Sequence, residues 1–223
     1  MPSLSVIIIA RDEERHLPRL LERLRAMPQV GQIIVSDGGS TDQTVLIAQR
    51  DDAQVVFARG RGAQLNAGAF IATGEVLWFL HADCLPARSC GAQILASIER
   101  GRVGGHFRVQ FESASPWARL VERIARVQAH FGVFYGDSGI WTTRKAFGQL
   151  DGFKDWPLFE DLDFARRLRD RGKVETLAGR LQASARRFEK RPFRTMLLWL
   201  ELQARFSLGQ SPALLARFYR EHL

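Results

Sequence analysis

Val6, Ile7, Ile8 and Ile9 form an unbroken β-branched run; Ile33, Ile34 and Val35 form a second, and Val76 to Leu80 a third. Runs this short, bounded by polar, glycine or proline residues, predict central strands buried on both faces. Between the first two, Leu17, Leu20, Leu21 and Leu24 recur at helical spacing, which predicts an amphipathic helix. Asp12, Glu13 and Glu14 would lie in its first turn, where the helix dipole favours acids. Ser40 with Gln43 makes a capping-box pattern, so a helix is expected to start there, leaving Asp37 on the loop just past a strand end. Val55 to Phe57 adds a short strand, and Arg59 to Gly68 opens a small-residue helix reaching about Thr73. The first hundred residues thus alternate strand and helix four times, with polar residues at each strand end. That is half of a doubly wound α/β sheet, whose ligands bind outside the carboxyl ends of the strands.

The second half is less regular. A strand is expected over residues 105–111 and a helix over 116–130, where Arg119, Arg123 and Arg126 form a basic stripe read as a solvated face. Residues 134–141 then break the pattern, with aromatics flanking a glycine-rich turn that carries Asp137. Such a loop either grips a sugar or headgroup with its rings or is a tight turn in the core. A helix follows from about Glu160 to Gly172, acids first and arginines last, as the helix dipole favours. Glu160, Asp161 and Asp163 gather more charge than a cap requires, so a carboxylate here is a candidate general base. Near the end, Phe193, Met196, Leu197, Leu200, Ala204 and Ser207 share one helical face. Gly209 closes that helix, and Ser211-Pro212 opens another as N-cap and first-turn proline.

Composition narrows the class. With 223 residues, 46% hydrophobic and 25% charged, the chain suits one α/β domain with a short appendage. The net charge is +8, of which residues 186–223 supply +5, eight Arg or Lys against three Glu. A basic tail beside an apolar helical stripe suits an anionic membrane surface or a phosphorylated ligand. Nucleic acid is compatible with the charge, but no recognition motif supports it, and no nucleic-acid partner is expected. Cys84 and Cys90 make neither a disulfide framework nor a zinc pattern. The N-terminus enters a strand at once and no apolar run approaches the ~20 residues of a membrane span. The expected location is cytoplasmic, peripheral to the inner face of the membrane if the tail binds lipid.

Two stretches carry candidate chemistry. The strand ending at His81 and Asp83 delivers an imidazole and a carboxylate to a sheet edge, where they could hold a divalent metal; equally, Asp83 could only begin a turn. Arg59 to Gly68 is a glycine-rich turn with two arginines at a helix start, able to approach phosphates. It lacks the third glycine of a dinucleotide fingerprint and the G-K-[ST] of a P-loop, and glycines placed for structure alone would read the same way.

Taken in order, the apolar first strand into an Asp-Glu turn, Asp37-Gly38-Gly39-Ser40-Thr41-Asp42, Asn66-Ala67-Gly68, Phe79-Leu80-His81-Ala82-Asp83 and Glu160-Asp161 resemble the family-2 glycosyltransferases. The resemblance covers about Leu4 to Arg187. Leu80-His81-Ala82-Asp83 and Tyr135-Gly136-Asp137 also resemble a bacterial subgroup named for its association with radical-SAM and selenium-domain proteins. The resemblance implies a Rossmann-like A-type glycosyltransferase fold with a mostly parallel central sheet, flanking helices and a C-terminal amphipathic helical segment. Residues 1–188 would be the catalytic domain, with a nucleotide-sugar half (1–100) and an acceptor half (101–188), and 189–223 a basic tail.

It further implies inverting, metal-dependent hexosyl transfer from a nucleoside-diphosphate sugar, a UDP-sugar favoured, to a hydroxyl acceptor that the tail suggests is lipid-linked. Ala10, Arg11, Glu13, Asp37, Arg61, Gln64, Ala82 and Asp83 would bind the donor. Asp83, with His81, would hold Mg²⁺ or Mn²⁺ on the diphosphate. Asp161 would be the base beside Glu160, with Tyr135, Asp137 and Ser138 on the acceptor side. The sequence departs from the family pattern at Ile9, usually proline, at Asp12, usually asparagine, and at His81, usually aspartate. Imidazole is the softer ligand and tolerates Mn²⁺ better than Mg²⁺. A nucleotidyltransferase is the rival enzyme, disfavoured by the acidic turn after the first strand. A non-catalytic nucleotide-sugar or membrane-surface binding module is the rival outside enzymes.

Overall fold

The β-branched run becomes β1 (Leu4–Ala10), whose side chains are almost wholly buried on both faces. In the computed structural model, which describes residues 3–113, 115–183 and 192–222, β1 pairs in parallel with β2 (Val30–Asp37) on one side and β4 (Val76–His81) on the other. β3 (Gln54–Phe57) extends the parallel half beyond β2. The registers Ala10↔Asp37 and Ile9↔His81 bring three strand ends to one edge, which is where the candidate chemistry lies.

Helices α1 (Leu17–Arg25), α2 (Thr44–Arg50) and α3 (Arg61–Ile71) connect these strands, and α4 (Cys90–Glu99) follows β4. Leu17, Leu20, Leu21 and Leu24 of α1 are all fully buried, as their spacing predicts. Two helix starts differ from expectation. The acids Asp12 to Glu14 precede α1 rather than occupying its first turn. Ser40 does not cap α2: its hydroxyl is engaged by Asp37 and Asp12, and Asp42 Oδ1 instead accepts from Thr44 N at 2.9 Å.

Past α4, the sheet changes direction. β6 (Gly104–Phe111) pairs with β7 (Trp141–Thr143), which pairs antiparallel to β4. β8 (Val174–Ala183) lies parallel to β6, and short β5 (Cys84–Pro86) closes the edge, giving the order β3-β2-β1-β4-β7-β6-β8-β5. The order and mostly parallel pairing are those of an α/β fold with helices flanking a central sheet. β8 escaped the sequence reading because its inward positions are Leu177, Gly179, Leu181 and Ala183; two small residues leave little period-2 hydrophobic signal.

α5 (Pro116–His130), α6 (Arg144–Gln149) and α7 (Glu160–Arg171) complete the body, with Arg123 and Arg126 of α5 solvated as expected. Within residues 134–141, Phe134 stacks on His106 with centroids 4.2 Å apart, Trp141 is fully buried, Gly136–Ser138 form one 3₁₀ turn, and Tyr135 and Asp137 line a cavity. Phe134 and Trp141 thus pack in the core, and Tyr135 is the ring of this stretch on the cavity wall.

The tail folds back as α8 (Pro192–Ser207) and α9 (Pro212–His222). Gly209, at φ 89°, ends the first, and Ser211 Oγ accepts from Leu214 N at the start of the second. α8 docks through Leu198 and Leu202 onto Leu158, Phe159 and Leu162, with Leu215 and Ala216 of α9 joining the cluster. The stripe picked out by periodicity lies on the other side: Phe193, Leu197 and Leu200 remain 56%, 48% and 44% exposed. The basic segment 186–191 lies outside the described residues.

Candidate active site

Two loops at the ends of β1 and β2 are laced together. Asp12, at a left-handed φ of 54°, accepts from Thr41 N (2.8 Å) and donates its own N–H to Ser40 Oγ (2.9 Å). Glu13 N donates to Thr44 Oγ1 and Glu14 N to Asp42, while Gln43 N donates back to Glu14. Asp37 is buried and accepts from Gly39 N and Ser40 N at 2.8 and 2.9 Å, besides the Ser40 hydroxyl. The carboxylate thus shapes its own loop. Asp12, Ser40 and Thr44 have positioning roles that sequence reasoning missed; the clue was the density of short polar side chains across both loops.

Gln64 sits beneath this cradle rather than facing outward. Its amide nitrogen donates to Ser36 O (2.7 Å) and Ala10 O (3.1 Å), clamping the ends of β2 and β1. Ala10 O also accepts from Gly38 N at 2.9 Å. Arg11 points to solvent, and Glu13 accepts from His16 Nδ1 at 2.8 Å. Ala82 is buried with its N–H on Ile9 O, so it holds the β4 end against β1.

The sequence Asn66-Ala67-Gly68 has a packing explanation. Gly68 lies where a Cβ would collide with Ile7, so α3 can approach β1 only at glycine. Asn66 clamps the backbone of Phe153, accepting from its N–H at 2.9 Å and donating to its carbonyl at 2.7 Å. This ties α3 to the segment leading into α7. Asn66→Ala is expected to cost about 2–3 kcal/mol, two net hydrogen bonds plus part-buried groups left unpaired. Urea unfolding would check this; a loss under ~0.5 kcal/mol would mean water replaces the clamp.

Arg61 opens α3 and reaches across to two other elements. Its Nε lies 2.8 Å from Glu160 Oε1, and its Nη2 donates to His81 Nε2 at 3.0 Å. Burial opposes the Arg61 charge, but Glu160, Asp161 and Asp137 outweigh it and raise its pKa. Glu160 is only 1% exposed; burial and the neighbouring Asp161 push its carboxyl up to about 7 against the pull of Arg61. Glu160 thus pairs with Arg61 at the edge of the cavity it also lines. Phe159 ahead of it adopts φ 65°, a conformation uncommon for a bulky side chain. This knuckle turns Glu160 inward and presents Asp161 to the cavity.

Asp161 is held by two backbone donors: Gly136 N to Oδ2 at 2.7 Å and Leu162 N to Oδ1 at 2.7 Å. A carboxylate oxygen has two acceptor sites, so each oxygen keeps one for a ligand. A side chain at Gly136 would lie 2.9 Å from His81 Nε2 and 3.2 Å from Asp161 Oδ2, which accounts for the glycine. Ser138 turns inward, its hydroxyl donating to Tyr135 O at 2.5 Å. Tyr135 is largely buried, and burial followed by Asp161 and Asp137 pushes its phenol up, keeping it a neutral donor.

Asp83, Asp137, Asp161, Arg61, His81 and Glu160 all meet one cavity of about 190 Å³, and Tyr135 joins them. At His81, the Arg61 guanidinium donates to Nε2 at 3.0 Å, a contact that a metal on that nitrogen would have to displace. Among the described residues no cluster of three or more His, Cys, Asp or Glu is arranged to cage a cation. A hard cation shared with a diphosphate needs only one or two protein carboxylates. Asp83 on the cavity wall fits that demand.

An α/β sheet with carboxylates and an arginine gathered at its strand ends places this cavity where ligands of open α/β sheets bind. The chain belongs to glycosyl transferase family 2, whose sequence profile matches residues 5–171. It is 30% identical over 123 residues to an uncharacterized glycosyltransferase of Mycobacterium bovis, covering 53% of this chain and 55% of that one. It is 34% identical over 90 residues to the 4,4'-diaponeurosporenoate glycosyltransferase of Staphylococcus haemolyticus, 36% of this chain and 24% of that. The chain thus spans about half or less of the length of these relatives. The fold resembles a mannosyltransferase from Pyrobaculum calidifontis in complex with GDP-Man and Mn²⁺, with a TM-score of 0.70, 17% identity and coverage of 95% and 66%. It also resembles glucosyl-3-phosphoglycerate synthase from Mycobacterium tuberculosis in complex with Mn²⁺, UDP and glucosyl-3-phosphoglycerate, with a TM-score of 0.62, 17% identity and coverage of 82% and 70%.

Proposed function

We propose that the chain is an inverting glycosyltransferase that moves a hexosyl group from a nucleoside-diphosphate sugar, a UDP-sugar first, to an acceptor hydroxyl. The observation that carries this reading is Asp161: a carboxylate fixed by two backbone donors, opening on the same cavity as Asp83. Residues 1–100 would bind the donor, 101–188 the acceptor, and 189–223 form the tail.

In this mechanism the acceptor oxygen attacks the anomeric carbon as the carbon–oxygen bond to the diphosphate breaks. The bonding pair leaves with the diphosphate, and the hydroxyl proton passes to Asp161. One base opposite the leaving group gives inversion. Arg61, held by Glu160 and His81, is placed to neutralise leaving-group charge. Asp83 would hold Mg²⁺ or Mn²⁺, which would supply Lewis-acid stabilisation of that charge. The fold neighbours that hold GDP-Man or UDP with Mn²⁺ support this cofactor. The laced 11–16 and 37–44 loops would seat base and ribose.

A thermal-shift screen with UDP, GDP, CDP and TDP sugars, with and without Mn²⁺, tests the donor site. One nucleotide should stabilise the protein by about 3–4 kcal/mol at 100- to 1,000-fold its Kd. That shift should require Mn²⁺ and vanish in Asp83→Ala. No shift with any donor at millimolar concentration would sink the proposal.

A further inference from the structure

Helices α5 and α8 run side by side and in the same direction. Trp117 meets Phe193 with ring centroids 6.1 Å apart, and eleven residues further along α5, Gln128 donates to Gln203 Oε1 at 2.8 Å. The two contacts are separated by roughly 16 Å at 1.5 Å rise per residue. The cavity that carries Asp161 and Asp137 extends between these contacts, walled by Val121, Ile124 and Ala125 from α5 and by Met196, Trp199 and Leu200 from α8. Outside, Leu120, Val127, Phe193 and Leu197 continue the apolar surface into solvent.

We propose that this slot is the seat of a lipid acceptor's apolar chain, with the lipid's hydroxyl head at Asp161; the inference rests on the transferase reading above. The occupant follows from the continuity of one cavity with two chemistries. Its polar face suits a hydroxyl and a diphosphate. Its apolar wall would leave the hydroxyls of a water-soluble sugar acceptor unpaired, which costs free energy. A hydrocarbon chain has no such groups and gains from burial. The exposed strip on both helices lets the same chain pass from a bilayer into the slot, and contiguous apolar surface of this kind marks an interaction site. The tail helix thus docks on the body with one face and serves the acceptor with the other.

The test uses the full chain and alkyl glucosides of increasing chain length, kept below micelle formation and titrated by calorimetry. Each added methylene should tighten binding about fourfold until the slot is full. Ala125→Trp, which fills the slot, should weaken binding of the longest chain at least tenfold. Leu200→Ser, at an exposed position that cannot compromise the core, should weaken it several-fold. In both variants the nucleotide-dependent thermal shift should remain. Binding that ignores chain length, or that both variants leave unchanged, would overturn the proposal. So would a stable dimer in light scattering that Leu197→Asp dissociates, because a second copy would then cover the strip. If no nucleotide shifts the protein yet chain length still governs binding, the slot stands and the donor reading fails.

Discussion

Asp161→Asn is expected to lower kcat for sugar transfer by about 10²–10⁴-fold, the range for removing a positioned general base, while Kd for the donor changes little. The asparagine can still accept one of the two backbone hydrogen bonds, from Gly136 N or Leu162 N. The other donor then faces an amide NH₂ and is left unpaired, at a cost of about 1–3 kcal/mol. Folding must therefore be checked alongside activity. Retained donor-dependent stabilisation with turnover abolished assigns the proton to Asp161. Turnover within a few-fold of wild type would remove it from the mechanism and favour a binding module.

The second large effect concerns pH and stability. Glu160 has its carboxyl raised from an ordinary 4.5 to about 7, burial being the first cause and Asp161 the second. Between those values the folded state binds the proton more tightly than the unfolded state. Stability from this group is complete below about pH 4.5 and is lost as pH rises through 7. His106 works in the opposite sense: burial lowers its pKa from 6.5 to about 4, so its stability is present above about pH 6.5 and lost as pH falls through 4. The two slopes oppose one another, and the wild-type profile over this window should be shallow. Glu160→Gln keeps an oxygen acceptor for Arg61 but has no proton to lose. Relative to wild type it should gain on the order of 3 kcal/mol between pH 4.5 and pH 8, at 1.36 kcal/mol per unit. Urea midpoints of both proteins at four or five pH values would read this difference. A difference independent of pH would mean that Glu160 is not held buried beside Asp161 and Arg61.

The parallel half of the sheet was legible because β1, β2 and β4 are buried on both faces and so read as unbroken apolar runs. The strand-end positions of Asp37 and Asp83 followed from those runs. Helix starts were read less well for a specific reason: Ser40 and Asp42 are both competent caps, and tertiary bonds to Asp12 and Asp37 claimed Ser40. In α8, leucine and aromatic side chains occur all round the helix, so periodicity could not tell the docked face from the free one. Leu198 and Leu202 won because Leu158, Phe159 and Leu162 meet them. His81 stood out as a candidate ligand from its place in a motif; that Arg61, twenty residues earlier, donates to its Nε2 follows only from the fold. Asp161 stood out as a candidate because three acids exceed what a helix start needs. The partner that orients it, the Gly136 amide, depends on a tertiary approach that only the fold supplies.

Phe159, whose left-handed backbone turns Asp161 towards the cavity, is itself stacked on Phe206 of α8, with centroids 4.7 Å apart and planes 30° apart. The tail is thus a mechanical brace for the turn that carries the carboxylate. Positions 159 and 206 should consequently drift together through evolution, each change in ring size at one answered at the other. A chimera that borrowed its last thirty residues from a distant cousin would inherit a brace cut for a different knuckle.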